Sequence, residues 1–342
     1  MLFGRDIGID LGTTSVLVAT RGKGVLLREP SVVAMDKNTG RVLNVGMAAQ
    51  RMLGRTPGNI VAIRPLRDGA ISDYDMTERM LKELVKKALA FTLFKPRIVI
   101  AVSSGITEVE ERAVIDAGIE AGARKVYLIE APLAAALGAG IDISKPDGHM
   151  IVDIGGGTTD VAVLSLSGVV ESSSIKVAGE AFDDAIVKYI RRKHNVLVGD
   201  STAEELKKSI GCVFPRPEAT AVDLKGRCLL TGLPRVVSIT TTELLDAFEE
   251  VSERILEMIH HVLENTPPEL VADISQNGIV LTGGGSLLWG FDKLIESRTN
   301  IPTQIADDAE LCVGYGIGKS LDLVGDMHEG TINLARKRQM KA

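Results

Sequence analysis

Short apolar, β-branched runs alternate along this chain with longer segments of helical period. Ile98-Val99-Ile100-Ala101-Val102 and Val126-Tyr127-Leu128-Ile129 read as buried strands, and the segment from Thr107 to about Gly122 between them reads as a helix. Before them, Asp75 is placed to cap a helix running to about Ala90, with Met76, Met80, Leu84 and Ala88 on one face. Pro96 stops helical continuation ahead of the first strand. Phe248 to Leu263 is the best late helix and is closed by Thr266-Pro267-Pro268. Helix-length segments between short strands predict α/β layers rather than a bundle or a sandwich.

One unit occurs twice. Gly8-Ile9-Asp10-Leu11-Gly12-Thr13-Thr14-Ser15-Val16-Leu17-Val18 is echoed by Ile151-Val152-Asp153-Ile154-Gly155-Gly156-Gly157-Thr158-Thr159-Asp160-Val161-Ala162-Val163. Each copy is an apolar strand carrying one aspartate, a glycine turn with two threonines, and a second apolar strand. Repetition at this distance predicts two similar domains facing each other across a cleft. A turn without side chains lets backbone N–H groups approach an anion, and threonine hydroxyls add donors. An aspartate at each strand end offers hard oxygens to Mg²⁺, usually through waters. Two such turns face to face would grip a polyphosphate from both sides. Either copy alone reads equally well as a glycine hairpin with a structural aspartate; the pair favours the phosphate grip.

A third glycine turn, Thr282-Gly283-Gly284-Gly285-Ser286, follows the apolar run Ile279-Val280-Leu281. Between the second and third turns, Thr202 and Glu205 form a capping-box signature for a short helix that Gly211 would end. Its Glu204, Glu205, Lys207 and Lys208 suit a sugar or base, although a solvated charged helix is the plainer reading of that segment alone. Gly314-Tyr315-Gly316-Ile317-Gly318-Lys319-Ser320 ends like a P-loop, but Val313 stands where the motif requires glycine. No G-x-G-x-x-G fingerprint follows a predicted strand.

Composition narrows the class. The 342 residues are 45% hydrophobic and 25% charged with a formal charge of −6, which lacks the electrostatic footprint of a general nucleic-acid binder. Cys212, Cys228 and Cys312 are too scattered for a disulfide framework or a zinc site, so a reduced, cytoplasmic protein is expected. No secretory signal core and no run of about 20 apolar residues is visible.

These motifs in this order resemble the actin and heat-shock-chaperone ATPase superfamily, and within it the MreB family, the actins of rod-shaped bacteria. The residues carrying the resemblance are Asp10 to Thr14, Val152 to Thr159, the helix from Thr202 to Gly211 and Leu281 to Ser286. Lys95-Pro96-Arg97, Gly105 to Glu110 and Ala134-Ala135-Ala136 are also family-like. The resemblance implies an actin-like fold with four subdomains, IA, IB, IIA and IIB, around one nucleotide cleft. Domain I would take residues 1–145, with the IB insertion at about 32–65, and be completed by 312–342. Domain II would take 146–311, with IIB at about 182–242. MgATP would sit with its phosphates at Gly12, Thr13, Thr14 and Gly155, Gly156, Gly157, Thr158, and its metal near Asp10 and Asp153. Ribose and adenine would lie between Glu204, Glu205, Lys207 and Lys208 and the turn Gly283-Gly284-Gly285-Ser286.

The chain departs from the family at one position. Relatives usually carry Glu-Glu-Pro where this sequence has Glu130-Ala131-Pro132, and the second glutamate is expected to orient the attacking water with the threonine matching Thr158. A methyl at Ala131 does neither, so slow ATP hydrolysis is expected, typically by 10²–10⁴-fold for loss of such a group. Glu130 is the nearby substitute, working through water.

Phe91-Thr92-Leu93-Phe94-Lys95-Pro96-Arg97 joins a helix to a strand. By resemblance, Leu93 and Phe94 dip into the cytoplasmic leaflet beside Lys95 and Arg97; packing at the helix end is the alternative. The function implied is a homopolymer of membrane-associated filaments that organises peptidoglycan synthesis and rod shape, with RodZ, MreC and MreD as neighbours and no nucleic-acid partner. A sugar or acetate kinase of the same superfamily is the competing enzyme reading, and a chaperone ATPase is a third.

Overall fold

The computed structural model describes residues 6–89 and 95–322. The repeated unit becomes a repeated sheet. In the first half, strands run in the order Lys125–Glu130, Arg97–Val102, Ile7–Leu11, Ser15–Thr20, Gly24–Pro30. In the second, the spatial order, read from the opposite edge, is Thr303–Ile305, Ile279–Thr282, His149–Ile154, Thr159–Ser165, Gly168–Ile175. Each central strand pairs antiparallel with the strand after its glycine turn and parallel with a strand reached by a long crossover. The carboxyl end of such a central strand is where α/β sheets place ligands, because the chain leaves to opposite sides there. Asp10 and Asp153 occupy those ends.

Two helices fill the space between the sheets. Ala131–Gly138 and Cys312–Ser320 share one core with Val99 and Ile129 of the first sheet and Ile151 and Ala162 of the second. Their backbones touch: a Cβ on Gly316 would lie 1.7 Å from the Ala134 carbonyl oxygen, and one on Gly138 would lie 1.8 Å from that of Cys312. The glycines of the P-loop-like segment therefore serve helix packing rather than phosphate binding. Two three-stranded sheets lie further out, one from Val33–Asp36, Val42–Val45 and Ile60–Ile63, the other from Val196–Leu197, Ala221–Cys228 and Pro234–Thr240.

Helix starts differ from the sequence expectations in three places. The helix Tyr74–Leu89 is entered through Asp73, whose carboxylate accepts the Met76 N–H at 3.0 Å, and not through Asp75. Burial of Met76 and Thr77 rotates Asp75 to the exposed side, away from the orphan N–H groups. The helix around Thr202 spans Asp200–Ile210 with Gly199 at its cap and no capping side chain, so Thr202 lies within the first turn. The late helix is longer than its apolar core suggests. It runs Thr241–Asn265 from a capping box formed by Thr240 and Glu243. Gly211 and Thr266 close their helices as the sequence predicts.

Candidate functional site

A cleft of about 530 Å³ opens where the two central strands point at each other. Its floor is made by the two glycine turns, which are in direct contact. A Cβ on Gly156 would lie 1.7 Å from Thr14 Oγ1, and one on Gly157 would lie 2.4 Å from Thr13 Oγ1. Only glycine lets the turns close to this distance. The hairpin turn at Gly69 joins them: its N–H donates to Thr13 Oγ1 at 3.0 Å. A Cβ there would meet Thr158 Cγ2 at 2.4 Å.

Above the turns stand Asp10 and Asp153. Burial, and then the charge of Asp153, pushes the Asp10 carboxyl up to about 7. Burial, then the charge of Asp160, pushes Asp153 up to about 7, against a hydrogen bond from Thr282. Thr282 Oγ1 donates to Asp153 Oδ1 at 2.8 Å. Paired carboxylates with raised pKa values, Asp153 buried and Asp10 half-buried, are short of positive charge, and their oxygens suit a hard divalent cation. Among the described residues no cluster of three or more His, Cys, Asp and Glu side chains forms a metal cage. A cation held here would therefore take most of its ligands from water and phosphate.

One wall of the cleft is charged. Lys207 Nζ donates to the Gly179 carbonyl at 2.7 Å and to Asp183 Oδ2 at 2.8 Å, while Lys208 Nζ donates to Glu204 Oε1 at 2.6 Å. Arg64 reaches across from the first half to Glu180 Oε1 at 2.7 Å, and its other nitrogen stands 4.0 Å from Glu204. Burial chiefly lifts Asp183 to about 6, opposed by Lys207. The lining also carries Gly283, Gly284, Gly285 and Trp289, the last bridged to Cys212 just past the end of the charged helix. Arg216 and Lys293 lie 5.2 and 4.5 Å from the Trp289 ring centroid, a cation–π arrangement that fixes the indole.

The family model described as MreB/Mbl protein matches residues 4–329. The chain belongs to this family. Over 322 residues it is 49% identical to the cell shape-determining protein Mbl of Bacillus subtilis (strain 168), covering 94% of this chain and 97% of that protein. Identity to the cell shape-determining protein MreB of Escherichia coli (strain K12) is 45% over 337 residues, or 97% of each. The crystal structure of MreB5 of Spiroplasma citri bound to ADP superposes with a TM-score of 0.90 at 38% identity, covering 95% of this chain and 98% of that one. The fold is thus the actin-like one of the MreB/Mbl family.

Most of the residues singled out in the sequence line this cleft: Asp10, Gly12, Thr13 and Thr14; Asp153, Gly155, Gly156, Gly157 and Thr158; Glu204, Lys207 and Lys208; Gly283, Gly284 and Gly285. Three do not. Glu205 is exposed on the far side of its helix. Ser286 is buried and its hydroxyl donates to the Gly283 carbonyl at 2.7 Å. Glu130 is half-buried and is not part of the cleft lining, whereas its neighbour Ala131 is. Burial raises the Glu130 carboxyl, and the charge of Asp160 adds to that rise. Leu93 and Phe94 lie outside the described residues. Sequence reasoning missed Arg64, Gly69, Glu180, Asp183 and Trp289, which come from separate elements and carry no local motif.

Proposed function

We propose that this chain is an ATP-binding, actin-like cytoskeletal subunit that polymerises into filaments and serves bacterial cell shape. The observation that carries the reading is the contact of two glycine–threonine turns beside two coupled carboxylates, Asp10 half-buried and Asp153 buried. Backbone N–H groups and hydroxyls of Thr13, Thr14 and Thr158 would bind the phosphates, and Asp10 and Asp153 would hold Mg²⁺ through waters. Bound Mg²⁺ supplies the positive charge that draws polyphosphate oxygens toward the paired aspartates. Lys207, Lys208 and Glu204 would meet the ribose, with the base against Gly283 to Gly285 and Trp289. Domain I would comprise 1–145 with 312–342, its IB insertion at about 32–65; domain II would comprise 146–311, with IIB at about 182–242. The ADP-bound relative supports the nucleotide assignment, and the cell shape-determining relatives support the role.

ATP-dependent pelleting, run beside a phosphorylation assay on a panel of sugars and acetate, tests this reading. Pelleting with MgATP and no phosphoryl transfer to any acceptor is the expected result. Transfer to an acceptor without polymer would replace the filament with a kinase, which needs a base and a shaped substrate pocket beside the terminal phosphate.

Filaments of this protein would lie on the cytoplasmic face of the membrane and organise peptidoglycan synthesis with RodZ, MreC and MreD. Among the described residues no helix is long and apolar enough to cross a membrane. Attachment is assigned to Leu93 and Phe94 from the sequence. Burying two such side chains contributes roughly 3–6 kcal/mol, which holds one subunit at roughly millimolar to tens-of-micromolar affinity. Stable adhesion then requires a polymer presenting many copies. Changing both residues to serine is expected to abolish co-sedimentation with liposomes while pelleting with ATP persists. Retained liposome binding with a lowered melting temperature would instead place the pair in the core.

A further inference from the structure

The corner of the cleft where Ala131 stands is not without an acid. Asp160, cross-strand partner of Asp153, lines the same cleft and is only 2% exposed. Its Oδ1 accepts from Ser103 Oγ at 2.6 Å and from the Ser104 N–H at 3.0 Å. Both serines follow the strand Arg97–Val102 of the first half, so this carboxylate is held from across the molecule. Ser103 Oγ in turn lies 2.7 Å from Ser174 Oγ. Burial raises the Asp160 carboxyl, and hydrogen bonds from Ser103, Ser104, Ser174 and Thr158 oppose that rise. Thr158 itself lines the cleft. Glu130, the substitute expected from the sequence, does not line it.

We infer that Asp160, oriented by Ser103 and Ser104 and flanked by Thr158, directs the water that attacks the terminal phosphate of bound ATP, in place of a carboxylate at position 131. The inference rests on the nucleotide reading above. In this step the water oxygen forms a bond to the γ-phosphorus. The bond from that phosphorus to the β–γ bridging oxygen breaks, and its electron pair leaves with ADP. Asp160 accepts a hydrogen bond from the water and aligns its lone pair, and the water's proton is released with the products, ADP and inorganic phosphate. A carboxylate positioned in this way contributes typically 10²–10⁴-fold.

Asp160→Asn keeps an oxygen that accepts from Ser103 and Ser104 but removes the charge, so the bridge between the halves is retained. The measurements are MgATP affinity, melting temperature, polymer mass and phosphate release from filaments. Expected for Asp160→Asn are affinity and polymer mass within about twofold of wild type, phosphate release lowered at least tenfold, and filaments that persist longer after free ATP is removed. Ala131→Glu alone is expected to change release by less than about threefold, whereas added to Asp160→Asn it restores release toward the wild-type rate. The inference is overturned if Asp160→Asn releases phosphate as fast as wild type, or if Ala131→Glu alone accelerates release tenfold. A loss of Mg²⁺-dependent affinity in Asp160→Asn would also overturn it, by making Asp160 part of the metal site. Wild-type protein that binds no MgATP would remove the nucleotide reading itself, a result distinct from a change confined to phosphate release.

Discussion

Gly156→Ala is expected to weaken MgATP binding by at least a hundredfold and to abolish ATP-dependent pelleting. The added Cβ would lie 1.7 Å from Thr14 Oγ1 and 2.8 Å from Thr14 Cβ. The second atom is not the far end of a flexible chain, so rotating the hydroxyl does not relieve the clash and one turn must withdraw from the other. A withdrawn turn no longer presents its N–H groups to phosphates held by its partner, and a hundredfold loss corresponds to about 2.8 kcal/mol. Gly58→Ala is the control, since a Cβ there meets nothing within 4 Å. Titration of labelled ATP into both variants checks the expectation. Equal affinity for wild type and Gly156→Ala would show that the turns do not act as a pair.

The second large effect concerns the carboxylates in the absence of divalent cation. Asp10 and Asp153 are each raised from 3.8 to about 7 by burial and by neighbouring carboxylate charge. Between those values the folded state binds protons that the unfolded chain has released. Stability therefore falls as pH rises from about 4 to about 7 and levels above that. For one such group the loss from pH 5 to pH 7 is on the order of 2 kcal/mol. In EDTA, wild-type protein is expected to melt at a markedly lower temperature at pH 8 than Asp153→Asn does, with the gap closing toward pH 5. Mg²⁺ with nucleotide should close the gap at pH 8 by neutralising both carboxylates. A gap that stays constant from pH 5 to pH 8 would show that the pair carries no unbalanced charge in the fold. The same substitution is expected to remove the Mg²⁺ dependence of ATP binding.

Much of the site was legible because its chemistry is local. A glycine turn that cradles phosphate must follow a strand, and so Asp10 to Thr14 and Asp153 to Thr158 declare themselves in sequence and recur in space as equivalent elements. The charged helix was also found, yet its lining face was not. Glu204, Lys207 and Lys208 reach the cleft while Glu205 turns away, because Ala203, Leu206 and Ile210 bury the opposite face and set the rotation. Asp73, and not Asp75, caps its helix for a related reason: the cap is chosen by where burial of Met76 and Thr77 starts the first turn.

What the amino-acid order determined by itself is the repeated strand–turn–strand unit, the α/β alternation and the phosphate-cradling residue types, all of which depend on neighbours within a few positions. The tertiary structure alone decided which surfaces meet. Thr14 touches Gly156 across 142 positions of chain, Arg64 reaches Glu180 from the other half, and Ser103 holds Asp160. It also left Glu130 out of the cleft lining while Asp160, 30 positions further along the chain, lines it. No local pattern encodes such contacts, because they arise from packing two sheets onto the shared helices Ala131–Gly138 and Cys312–Ser320. Shape complementarity between distant buried surfaces sets that geometry, and a linear sequence displays it only after the chain has closed on itself.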